Sequence, residues 1–72
     1  MVISYAVKSK RSDFKVLFQD RNAVVVPAVG SFLEFEPDGY IVDQVVYNHL
    51  AASGQCSLVG VVVFMHRGTW VK

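Results

Sequence analysis

Residues 58–65, Leu-Val-Gly-Val-Val-Val-Phe-Met, constrain the fold more than any other stretch of the chain. No polar side chain interrupts them, and valine dominates. Valine is stiff at χ1 and packs well on a pleated surface, so the run reads as a strand extending to His66. Because odd and even positions are both apolar, the strand is expected to be covered on both faces. It falls far short of the ~20 residues a membrane helix needs. Gly60 inside it suggests a bend or a close backbone approach.

The rest of the chain repeats the theme. Ile3, Tyr5 and Val7 alternate with Ser4, Ala6 and Lys8, a period of two that marks a strand. The polar run 9–13 breaks it. Phe14, Val16 and Phe18 alternate with Lys15, Leu17 and Gln19, a second strand, and Asp20-Arg21-Asn22 makes a turn whose Asp and Asn can bond their own backbone. Ala23 to Val26 reads as a short β-branched run stopped by Pro27, which cannot donate to a ladder. After the corner Pro27-Ala28-Val29-Gly30, an extended stretch resumes at Phe32. Glu36-Pro37-Asp38-Gly39 predicts a tight reversal, with Pro fixing φ and Gly supplying a positive one.

Residues 40–50 decide the topology. Val42, Val45, Val46, His49 and Leu50 fall at helical spacing, and Gly54 could cap such a helix, so an α+β fold with a helix at 41–53 is the alternative reading. The β-branched and aromatic content favours one long strand. Tyr40 and Val42 then share a face with Val45 and Tyr47 only if an extra residue intrudes near Asp43-Gln44, which predicts a β-bulge there. Such a bulge bends the strand, as small barrels require. Ser53-Gly54-Gln55 forms the next turn, and Trp70-Val71-Lys72 is left as a tail.

Seventy-two residues make one domain, 1–72, that hides only about 60% of its unfolded surface. With 53% hydrophobic and 18% charged residues, disorder is excluded and apolar side chains are in surplus. A self-association or partner interface is the simplest sink for them. The single cysteine, Cys56, cannot form an intramolecular disulfide, which fits a reducing, cytoplasmic setting; no secretory signal and no membrane segment are read. Net charge is only +1. Five of the seven basic residues precede position 23, and 23–56 holds four acids and no base, so the chain is dipolar in sequence.

Five or six short antiparallel strands in this order define an all-β, small, partly open barrel. The corner Pro27-Ala28-Val29-Gly30, the Asp38-Gly39 reversal, the pattern Tyr40-x-Val42-x-x-Val45-x-Tyr47 and the final Val-rich strand resemble small SH3-like β-barrel proteins of unknown function. Phages, plasmids and integron cassettes encode that class. The resemblance runs from Phe14 to Met65 and implies a mobile-element accessory or host-directed role. The apparent extra N-terminal strand departs from that class, and is expected to pair at an edge or swap with a neighbour.

Catalytic chemistry is thinly provided. His49, His66 and Cys56 lack the short spacing of a zinc site, and Cys56 would need His49 or His66 to lower its pKa. Glu34 and Glu36 alternate with Phe35 and read as the wet face of a strand. No phosphate loop, nucleophile elbow or HExxH occurs. The chain therefore reads as a non-enzyme with no metal or cofactor. Its expected function is a protein–protein interface, as a homodimer, with Ile3, Tyr5, Val7 and Trp70 as candidate interface residues. The alternative is a nucleic-acid-binding barrel using Lys8, Lys10, Arg11 and Lys15 beside Tyr5 and Phe14.

Overall fold

A computed structural model describes residues 1–8 and 13–69. They form one five-stranded sheet of β1 (Ile3–Lys8), β2 (Phe14–Asp20), β3 (Phe32–Phe35), β4 (Asp38–Ala52) and β5 (Gln55–Arg67), with no helix among the described residues. The strand order is β2-β1-β5-β4-β3. The all-β reading holds, and the helix at 41–53 gives way to strand β4. The sheet curls into a half-barrel.

Orientation departs from the antiparallel expectation at one place. β1 pairs with β5 in parallel, Ile3 opposite Val61 and Val7 opposite Met65, while the other three ladders are antiparallel. β1 is therefore interior, flanked by β2 and β5. The expectation that it pairs at an edge of the sheet fails because the doubly apolar β5 offers a second edge that only an apolar strand can take.

The long hairpin of β4 and β5 is the spine. Its register shifts between Val42 and Gln44, so Asp43 is the extra residue and the bulge falls where the sequence requires it. Tyr40 and Val42 before it, and Val45 and Tyr47 after it, oppose Arg67, Met65, Val63 and Val61 on the concave face. A second shift at Asn48/His49 leaves Val59 unpaired beside Gly60, which accounts for the glycine as a bend. At the hairpin tip Ser53 and Gly54 both have positive φ, 52° and 78°, as a two-residue turn matched to strand twist demands.

At the β3–β4 reversal, Phe35 pairs with Asp38 around Glu36 and Pro37, whose peptide bond is cis. Gly39 is already in β4, and its role is spatial rather than conformational. A Cβ there would lie 2.4 Å from Cζ of Phe32, whose ring covers the bare backbone.

Ile3, Val42, Val61 and Val63 form the concave core with Ala23, and Tyr5, Val26, Leu33 and Val45 pack around it. Ala23 and Val26 belong to the crossing 21–31, which is not a strand. Val24 and Val25 point to solvent between them, a period of three that a pleated strand does not produce. Its anchors are backbone bonds at its two ends, Ala23 N–H to the Met1 carbonyl, and Gly30 N–H to the Val42 carbonyl with the Val42 N–H donating back to the Ser31 carbonyl. Phe18 on edge strand β2 stacks on Phe35 of edge strand β3 at 4.6 Å, with Tyr5 and Tyr40 edge-on to Phe35. These aromatics bring the two edges of the sheet together without backbone pairing.

Candidate functional site

The curl leaves the sheet with a convex face that no other layer covers among the described residues. Residues directly opposite one another share a face, so Ser4, Ala6 and Lys8 of β1 lie with Phe14, Val16 and Gln19 of β2, with Val62 and Phe64 of β5, and with Gln44 and Val46 of β4. Ala6 is buried between its larger neighbours, but Phe14 is 50% and Val16 42% exposed, and Val62, Phe64 and Val46 are half-buried. The result is an apolar stripe across four strands.

Polar groups fence the stripe at both ends. The Lys8 ammonium donates to Gln44 Oε1 at 3.1 Å and lies 4.9 Å above the Phe64 ring, a cation–π position. Phe14 meets the same ring edge-on at 5.2 Å. Next to them His66 Nδ1 and Asp43 Oδ1 are 2.7 Å apart, the bulge having turned Asp43 out to solvent. At the far end the Gln19 amide donates to Ser4 Oγ at 3.1 Å. Every buried side-chain polar atom among the described residues is satisfied, so nothing polar in the stripe asks for a ligand.

Beyond the half-barrel, the β4–β5 hairpin runs on as a two-stranded ribbon over residues 48–59, past the ends of both β1 and β3. Leu50, 67% exposed, continues the convex face along it.

A second feature sits at the mouth of the half-barrel. Val7, Leu17 and Tyr40 floor a cleft of about 510 Å³, and Lys8, Lys15, Asp38 and Arg67 ring it. Arg67 is ion-paired with Asp38. Its pKa is raised above the ordinary value, first by the Asp38 hydrogen bond, then by the Asp38 charge, with Tyr40 adding to both effects.

The residues expected from sequence divide among these surfaces. Ile3 is fully buried in the core and is corrected from interface to core residue, because β1 is an interior strand. Tyr5 and Val7 face the concave side, Tyr5 against Phe35 and Val7 in the mouth cleft. Burial, followed by the Asp20 charge, pushes the Tyr5 pKa up. Lys8 and Lys15 both border the cleft, with the Lys8 head on the convex side. Lys10, Arg11 and Trp70 lie outside the described residues. His66 sits at the opposite end of β5 from Cys56, and no cluster of His, Cys, Asp or Glu among the described residues could hold a metal. The convex stripe itself was missed. Its signal was present in the doubly apolar β5 and in Phe14 and Val16, whose face is fixed only by the β1–β2 register. Comparison with family models, curated protein sequences and solved structures returns no match for this chain.

Proposed function

We propose that the protein is a non-enzymatic interaction module that works as a homodimer, two copies packing the convex faces of their sheets together. One observation carries this reading. The chain exposes 5496 Å², whereas a compact 8.0 kDa protein exposes about 4,500 Å². The excess of about 1,000 Å², to which the projecting ribbon also contributes, is large enough to include the roughly 800 Å² per partner that a stable interface hides. The radius of gyration agrees, 13.5 Å against about 11 Å for a compact chain of this length.

A second copy is the occupant that the stripe's apolar, self-complementary make-up favours. Sheets pack face to face when their facing sides are apolar, and a two-fold axis sets the same stripe against itself without needing charge complementarity. The stripe has the required anatomy, an apolar centre of Val16, Val46, Val62 and Phe64 with polar pairs at its rim. Such a dimer also supplies the second cover that β5 demands.

Light-scattering mass in solution tests this. We expect twice the chain mass of 8.0 kDa at micromolar concentration, unchanged as salt rises, and a folded chain of single mass for Val62→Lys. A wild-type protein of single mass throughout would overturn the reading. So would an assembly that dissolves steeply with salt, or a monomer that binds single-stranded oligonucleotide with that salt dependence, which is the signature of phosphate contacts.

A further inference from the structure

We infer that the mouth of the half-barrel is a binding site for a small amphiphilic anion, a single carboxylate on an apolar or aromatic body. This inference concerns a different face from the proposed dimer and does not depend on it. The cleft, about 510 Å³, has the size of an ordinary small-molecule site, which spans roughly 300–1,000 Å³. It also has the chemistry of one, an apolar floor with a few polar groups converging on it.

The two cations of the cleft are differently prepared. Arg67, at the end of β5, is ion-paired with Asp38 and also interacts with Tyr40, its partner across the β4–β5 ladder. These partners occupy only part of a guanidinium that has five N–H donors in a planar fork, so it is held in place with donors to spare. Lys15, on β2, makes no hydrogen bond or ion pair within the described residues. It lies opposite Val7 in the β1–β2 ladder and is therefore directed to the concave side. The bulge at Leu17 in the same ladder turns that side chain into the floor of the cleft. The Lys8 head, engaged with Gln44 and Phe64, is not counted among the donors to the ligand.

Among the described residues the rim is net cationic, Lys8, Lys15 and Arg67 against Asp38, because Gln44 and Phe64 hold the Lys8 ammonium without neutralising it, so the cleft favours an anion. A carboxylate can accept from Arg67 and Lys15 together while its apolar body covers Val7, Leu17 and the Tyr40 ring. A neutral analogue of the same shape would leave those donors unanswered.

The test is an amide-resolved NMR titration of the full chain with 2-naphthoate, run in parallel with the neutral 2-naphthamide. Saturable shifts are expected at Val7, Lys15, Leu17, Tyr40 and Arg67, with the amide binding about tenfold more weakly or worse, the loss of one charge-assisted contact. Lys15→Glu, an exposed substitution that removes no partner from the fold, should weaken naphthoate by at least about tenfold and leave naphthamide unchanged. Arg67→Gln should do the same. The proposal is overturned if naphthoate gives no saturable shifts, if acid and amide bind alike, if Lys15→Glu leaves naphthoate affinity intact, or if the shifts fall on Phe14, Val62 and Phe64 of the convex stripe instead.

Discussion

At the scale of single residues, glycine and tyrosine positions carry the most pointed consequences. Gly39 is required by the Phe32 ring and not by backbone dihedrals, so Gly39→Ala should cost about 1–3 kcal/mol, the usual penalty for overpacking. Urea denaturation would read this as a lower midpoint at unchanged slope. Gly60 makes the opposite case, since a Cβ there meets only the Val2 carbonyl at 3.7 Å, and Gly60→Ala should change stability by no more than about 0.5 kcal/mol. Tyr5 links burial to pH. Its pKa is raised from 10.0 by burial and by Asp20, so the folded state holds the phenolic proton more tightly than the unfolded state does. Its contribution is complete below pH 10 and is lost as pH climbs through the raised value. Stability should therefore fall with alkalinity more steeply in the wild type than in Tyr5→Phe, and equal slopes would contradict the burial assigned to Tyr5. Sequence reading located Gly39 but gave it the wrong reason, because a turn glycine and a glycine beneath an aromatic ring look alike until the register is known.

Among the elements, the β4–β5 hairpin shows how far alternation alone can reach. The break in period between Val42 and Val45 demands one inserted residue, and Asp43 is that residue. Deleting Asp43 should leave Tyr40, Val42, Val45 and Tyr47 in strict alternation on one face and remove only the bend that the bulge supplies. The deletion variant is expected to fold with a lower urea midpoint because the straightened strand closes the curl less well, and an unchanged midpoint would show that the bulge is dispensable. At the ribbon tip, Gly54 has a φ of +78°, so Gly54→Ala should cost about 1 kcal/mol in the same urea assay. The crossing 21–31 was harder to read. Val24 and Val25 carry strand propensity but are 89% and 74% exposed, and propensity yields where no neighbouring strand is there to pair. The parallel β1–β5 pairing was likewise invisible, since alternation fixes which face a residue takes but not which strand lies alongside.

For the molecule as a whole, the apolar surplus of the sequence resolves into two halves. One half, Ile3, Val42, Val61 and Val63, fills the concave core. The other, centred on Val62 and Phe64, lies on a convex face left uncovered among the described residues. The N-terminal strand, one of the two places where sequence reading put the interface, does not carry that surplus, because β1 is consumed in the interior of the sheet; Trp70, the other, lies outside the described residues. The face was legible in the doubly apolar β5. Its extent was not, since joining Phe14, Val16 and Val46 to it needs the strand order. The most direct measurement is isotope-filtered NMR on an equimolar mixture of labelled and unlabelled chains, which reports contacts between copies only. Cross-chain contacts from the Val62 methyls and the Phe64 ring to Val16 and Val46 are predicted; cross-chain contacts confined to other surfaces, or none at all, would contradict the account.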